Sequence, residues 1–342
     1  MSTASSPLHT EVNMKRIAQH PRAGRILPLA LAVPATVLLA AMPTAASESG
    51  GPTGSHASIK PTIVLVHGAW ADASGWDEIS ERLQSQGYPV VATANPLRSL
   101  SGDAAYLSAR LKSIKGPIVL VGHSYGGAVI TNAAAGNPNV TSLVYVAGFA
   151  PDKGETTLEL AAKYPGSRLT DDPEAPVPTA LDAVPLGDGP TDVDLYIKPD
   201  KFSDVFLSDR LDRSQADILA AAQRPAAVVT GSEPTEAAAW KTIPSWYLVP
   251  TDDRTIGTEN LRFMAERADS TTVEVDAPHA VMETNPGDVT RLILRAAEDS
   301  RPSLAGTGTS APALAAMAGA SALAVAGGTT LVLRTRRPAH AS

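Results

Sequence analysis

Ile118-Val119-Leu120-Val121-Gly122-His123-Ser124-Tyr125-Gly126-Gly127-Ala128-Val129-Ile130 is the stretch on which the fold turns. Four apolar residues without alternation read as a strand buried on both faces. The Ala-rich run after Gly127 reads as a helix, so the G-x-S-x-G at 122–126 falls on the turn between them. In that context the serine sits on a strained strand-to-helix turn. Small residues two before and two after it, Gly122 and Gly126, let the flanking backbones approach each other. Ser124 is therefore a candidate nucleophile.

The pattern repeats on either side. Thr62–Val66, Val90–Ala92, Ser142–Val146, Ala226–Val229, Trp246–Val249 and Thr272–Val275 are further short apolar or β-branched runs that read as strands. Helical spacing links Trp76, Ile79 and Leu83, then Leu107, Leu111 and Ile114, then Leu261, Met264, Ala265 and Ala268, and last Val289, Leu292, Ile293 and Ala296. Strand and helix in alternation imply an α/β class, with a mostly parallel central sheet flanked by helices. Residues 151–224, rich in Pro, Asp and Gly with short helical patches, interrupt the rhythm and read as a lid insertion.

A serine hydroxyl needs a base, and the chain holds seven histidines, at 9, 20, 56, 67, 123, 279 and 340. Four lie in the terminal segments. His123 is beside the candidate nucleophile with its side chain directed away from the line of attack, and His67 ends the first strand. His279 follows the Thr272–Val275 strand and precedes the last helix, so it is the candidate base. An acid that orients the imidazole falls between Ser and His in this chain order. Thr251-Asp252-Asp253-Arg254 follows the Trp246–Val249 strand, and spacing alone leaves Asp252 and Asp253 both open. Donors for a tetrahedral oxyanion are also needed. The amide of Ala69, in His67-Gly68-Ala69-Trp70, and that of Tyr125 are placed to supply them.

With these residues assembled, the chain resembles the α/β-hydrolase fold enzymes, in particular the small esterases related to plant methylesterases and hydroxynitrile lyases. The resemblance spans about residues 60–298 and rests on HGAW at 67–70, GHSYGG at 122–127, SWYLVPTDDR at 245–254 and the strand–His–helix end at 271–293. It implies a triad of Ser124, Asp253 and His279, backbone donors at Ala69 and Tyr125, and no metal or organic cofactor. The lyases of the group carry a lysine directly after the catalytic histidine; here that residue is Ala280, and the elbow lacks their cysteine. The expectation is a serine esterase acting on small acyl or aryl carboxylic esters. The alternatives are a cofactor-free haloperoxidase or acyltransferase on the same triad, and a non-catalytic surface binding protein. Leu195, Tyr196, Phe202, Val205, Phe206 and Leu207 in the insertion are candidates either for lining an apolar pocket or for packing the insertion on the core.

The 342 residues include no Cys, which excludes disulfide scaffolds, thiolate metal sites and a cysteine nucleophile. A net charge of −7 weighs against a nucleic-acid partner. Residues 1–46 join a basic start (Lys15, Arg16, Arg22, Arg25) to an uncharged stretch ending Thr44-Ala45-Ala46, and read as a secretory signal peptide starting at Met1 or Met14. Residues 47–59 read as a Gly/Ser/Pro linker ahead of a domain at 60–300. In the segment 301–342, Leu304-Ala305-Gly306-Thr307-Gly308 precedes an uncharged span to Leu333 and then Arg334, Arg336 and Arg337. This resembles the LAxTG signals of actinobacterial surface proteins. The resemblance implies cleavage by a sortase between Thr307 and Gly308, joining to cell-wall peptidoglycan, and membrane contact only through the span before sorting. Cutting at both sites removes seven of the 28 basic residues and one of the 35 acidic ones, which takes the net charge from −7 to −13.

Overall fold

The computed structural model describes residues 60–300 except Pro173 and Pro190. The expected signal peptide, the linker and the sorting signal with Thr307 and Gly308 lie outside the described residues. Along the chain run β1 (Thr62–Val66), α1 (Asp77–Ser85), β2 (Val90–Thr93), α2 (Leu100–Lys112), β3 (Ile118–His123), α3 (Tyr125–Ala133) and β4 (Val140–Val146). Next come α4 (Thr157–Ala161), β5 (Leu181–Pro185), β6 (Val193–Ile197), α5 (Pro199–Leu207), α6 (Arg213–Ala222), β7 (Ala226–Ala227) and α7 (Val229–Ser232). The chain then closes with β8 (Ser245–Pro250), α8 (Thr258–Arg267), β9 (Thr271–Val275), α9 (Val281–Thr284) and α10 (Pro286–Asp299).

Six strands form one sheet in the order β2-β1-β3-β4-β8-β9, and every pairing in it is parallel. This is the α/β-hydrolase fold with a mostly parallel central sheet flanked by helices. The continuous apolar runs are explained by burial on both faces. In β1, Ile63 and Leu65 join Trp76, Ile79 and Leu83 near and on α1 and Leu292 and Ile293 on α10, while Val64 and Val66 join α2, α3 and α8 on the opposite face. Each fully buried Val, Leu or Ile contributes about 1.5–3 kcal/mol, so the period-2 split of one strand between two helical layers fixes the sheet as the middle layer. β9 lies at an edge and is largely exposed; Glu274 on it pairs with Arg262 of α8, a charged pair that blunts the edge.

One sequence reading is corrected. Ala226–Val229 does not continue the central sheet. Ala226 and Ala227 pair antiparallel with β6 in a separate three-stranded sheet, β5-β6-β7, and the chain turns into α7 from Val229. A short apolar run marks burial without saying in which sheet, and Ala227 finds its partner at the carbonyl of Leu97. The elements from α4 to α7 are thus all inserted between β4 and β8. Among the described residues no helix is long and apolar enough to cross a membrane.

Candidate active site

The strand order reverses at β1, whose neighbours are β2 and β3, and the crevice outside the carboxyl ends of such strands is where open α/β sheets bind ligands. Ser124 stands there, between the wholly buried β3 and the largely buried α3, with φ 53° and ψ −127°. A non-glycine residue holds this backbone only under tertiary constraint. The constraint is visible: the Ser124 amide donates to the Val146 carbonyl at 3.3 Å, and its carbonyl accepts from Phe149 at 3.0 Å. A Cβ at Gly122 would lie 2.6 Å from the Gly126 carbonyl oxygen, and one at Gly126 would lie 2.5 Å from that of Val66. The G-x-S-x-G spacing is therefore a steric requirement of the turn. Gly68 meets the same limit from the other side, since a Cβ there would lie 2.5 Å from Ser124 Cβ and 3.1 Å from its Oγ.

Ala69 and Tyr125 flank the serine, and neither amide N–H has an acceptor among the described residues. Tyr125 opens α3, where the unsatisfied N–H groups of a helix start favour negative charge. Its phenol donates to Asp103 Oδ2 at 2.9 Å, and burial raises both the Tyr125 phenol and the Asp103 carboxyl above their ordinary pKa. The turn around Ala69 is held by groups that the sequence reading left without a role. The Asn95 amide donates to His67 Nε2 at 2.9 Å, so the ring proton is on Nδ1 and is donated to the Gly68 carbonyl at 2.9 Å. Burial holds His67 below the usual histidine pKa and keeps it neutral. Trp70, at φ 58°, donates its amide to the Arg224 carbonyl and its indole Nε1 to the Leu195 carbonyl at 2.9 Å, which ties this turn to the insertion.

His279 and Asp253 are brought together. His279 Nδ1 donates to Asp253 Oδ2 at 2.7 Å, and both side chains are fully buried. The other oxygen, Oδ1, accepts three backbone amides, from Thr255 at 3.0 Å, Ile256 at 2.8 Å and Gly257 at 3.3 Å. That cradle aims Oδ2 at the imidazole and leaves His279 Nε2 as a buried nitrogen with no hydrogen-bond partner. No Ser124–His279 hydrogen bond closes among the described residues. Asp252 turns the other way, to Arg210 and Arg254, and Asp276 pairs with Arg210 at the surface. Arg254 also reaches Asp204 and Asp209 of the insertion, so an ion-pair network runs beside the Asp253 loop.

A cavity of about 210 Å³ opens over Ser124, Ala69 and Tyr125, walled by apolar side chains that include Phe149, Leu181 and Leu195, and none of its lining residues carries a formal charge. Of the six insertion residues singled out from the sequence, Leu195 alone lines it. Phe202 and Phe206 face a smaller cavity with Trp70 and Ala280, Val205 and Leu207 are buried packing, and Tyr196 lines neither. The rest of the apolar wall comes from Phe149, Leu169, Leu181 and, from the run read as a central strand, Ala226 and Val228.

The model of the Alpha/beta hydrolase family matches residues 63–292. The chain is 33% identical over 114 residues to a carbendazim hydrolyzing esterase of Nocardioides sp., a match that covers 30% of this chain and 47% of that one; the chain thus spans about half of that relative's length. It is 28% identical over 264 residues to the alpha/beta hydrolase nvfD of Aspergillus novofumigatus, covering 71% of this chain and 98% of that one. Among solved structures, polyneuridine aldehyde esterase superposes with a TM-score of 0.58 at 18% identity, over 69% of this chain and 99% of that one. A pyrethroid hydrolase from Sphingobium faniae gives a TM-score of 0.55 at 22% identity, over 70% and 97%. Sequence match, strand order and elbow geometry agree: the chain belongs to the alpha/beta hydrolase family.

Proposed function

We propose that this protein is an exported serine esterase that cleaves small, uncharged carboxylic esters through Ser124, His279 and Asp253. The observation that carries the reading is the state of His279, with Nδ1 committed to Asp253 and Nε2 buried and bare. An imidazole in that tautomer is a base awaiting a proton. In the proposed reaction Ser124 Oγ bonds to the ester carbonyl carbon as its proton passes to His279 Nε2. The carbonyl electron pair moves onto oxygen, which accepts from the Ala69 and Tyr125 amides. Asp253 stabilises the imidazolium without taking its proton. Collapse breaks the bond to the alkoxy group, which leaves with the proton from His279. Water, deprotonated by the same nitrogen, then releases the acid and restores the serine. The uncharged cavity supports apolar esters, and the relatives named as esterases support a carboxylic ester as the electrophile. The insertion serves as the lid over this cavity.

The termini extend the proposal to location: export by residues 1–46, and attachment to cell-wall peptidoglycan by a sortase acting between Thr307 and Gly308. The decisive experiment is labelling of the purified protein with a fluorophosphonate probe, with Ser124→Ala as control and mass spectrometry to find the adduct. An adduct on Ser124 is expected, followed by turnover of 4-nitrophenyl esters. A folded protein that takes up no probe would overturn the esterase reading and leave a surface binding protein in its place.

A further inference from the structure

His123 is the residue before the nucleophile, and no step above uses it. Its ring is fully buried, 4.8 Å from the ring of His279 and 6.3 Å from that of Phe206. His123 Nε2 lies 3.1 Å from the His279 carbonyl oxygen. A carbonyl only accepts, so Nε2 carries the proton and Nδ1 is a bare acceptor. That Nδ1 is buried with no partner. Leaving a buried acceptor unpaired is unfavourable, and an apolar ring of similar shape would avoid it. The histidine is therefore explained by what its other nitrogen does. Burial first, and the neighbouring His279 second, hold its pKa well below the ordinary histidine value, so it remains a neutral donor.

The topology shows what that donation is for. Ser124 follows β3, near the middle of the sheet, whereas His279 follows β9 at its edge, with β4 and β8 between. The chain carrying His279 must reach back across two strands. Four bonds hold it there: the Asp252 amide to the Ala277 carbonyl and His279 Nδ1 to Asp253, both to the loop after β8, the Ala280 amide to the Phe206 carbonyl in the insertion, and the His123 bond. Only the last one runs to the strand that bears the nucleophile.

We infer that His123 is a positioning residue whose Nε2–H pins the backbone of His279 to the nucleophile strand and so sets the reach of the base toward Ser124. This rests on the serine-hydrolase reading above. The geometry fixes separation, not affinity, so the inference is specific about kinetics. His123→Phe keeps a buried ring and removes the donor and the orphaned acceptor together. It is expected to lower kcat and the rate of fluorophosphonate labelling roughly 10- to 100-fold, with KM and the melting temperature little changed. His123→Gln restores an amide donor near the Nε2 position and is expected to recover most of the loss.

The experiment measures labelling rate, kcat, KM and Tm for the wild type and both variants, together with ¹⁵N spectra of the histidine rings in the wild type. The tautomer with the proton on Nε2 of His123 and the kcat-specific loss rescued by glutamine are the supporting results. A wild-type labelling rate in His123→Phe, no recovery in His123→Gln, or a ring proton on Nδ1 would each overturn the inference while leaving the esterase reading intact. A wild type that does not label at all overturns both. The tautomer reading needs no variant, so a variant that misfolds does not protect the inference.

Discussion

Asp253 and Asp252 are chain neighbours whose carboxylates face opposite environments: Asp253 is buried and accepts the His279 Nδ1–H at 2.7 Å, while Asp252 lies toward the surface between Arg210 and Arg254. The difference is local geometry after β8. Three backbone amides converge on Asp253 Oδ1 and none on Asp252. The buried pair sits where charge is stabilised by fixed donors, and the outer pair sits where water screens it.

Asp253→Asn should therefore cut kcat by about 10⁴-fold, because an amide at this position favours the wrong tautomer of His279. Asp252→Asn loses partly exposed ion pairs and should change stability by no more than about 1 kcal/mol. Ester hydrolysis and thermal melts on the two variants check this; the reverse ranking would move the acid to Asp252.

Gly68→Ala places a methyl 2.5 Å from Ser124 Cβ and 2.9 Å from the His123 carbonyl oxygen. Neither neighbour is a flexible side-chain end, so the turn bearing Ala69 must move. The expected outcome is a loss of at least 100-fold in labelling rate, in line with removal of one oxyanion donor, with about 1–3 kcal/mol of destabilisation from overpacking. Labelling kinetics and urea unfolding of the same preparation separate the two effects.

Two buried neutral histidines set an acid limit on stability. His67 and His123 both have folded-state pKa values below the ordinary 6.5, with burial as the leading cause. The unfolded chain then binds protons first as pH falls, so the stabilisation from keeping these rings neutral is complete above 6.5 and is lost as pH drops toward the folded pKa values. The slope is about 1.4 kcal/mol per pH unit for each ring. Urea midpoints should fall from about pH 7 to about pH 5, and His123→Phe should flatten that dependence by one ring's share. An unchanged slope in the variant would show that His123 is not held neutral.

Thr307→Ala should shift the protein from the cell-wall fraction to membrane or medium, because the carbonyl that a sortase would transfer is no longer part of a recognised signal. Fractionation followed by immunoblotting gives the answer. Unchanged wall association would remove the sortase reading without touching the chemistry of the domain.

The chain order of residues decided those features that depend on near neighbours. The elbow at 122–126 is legible because strand, glycine spacing and helix all lie within about one turn of Ser124, and the buried strands are legible because both faces of the sheet demand apolar side chains. His279 followed from elimination among few histidines. Tertiary structure decided the rest. Which of two adjacent aspartates meets His279 depends on a turn whose amides point one way, and adjacent positions have the same composition signal. Whether Ala226 and Ala227 join the central sheet depends on an edge presented by β6, a strand from the insertion that lies about 30 residues earlier in the chain. The bond from His123 joins residues 156 positions apart. Its existence depends on how far the chain reaches back from the sheet edge, a distance that no local propensity encodes.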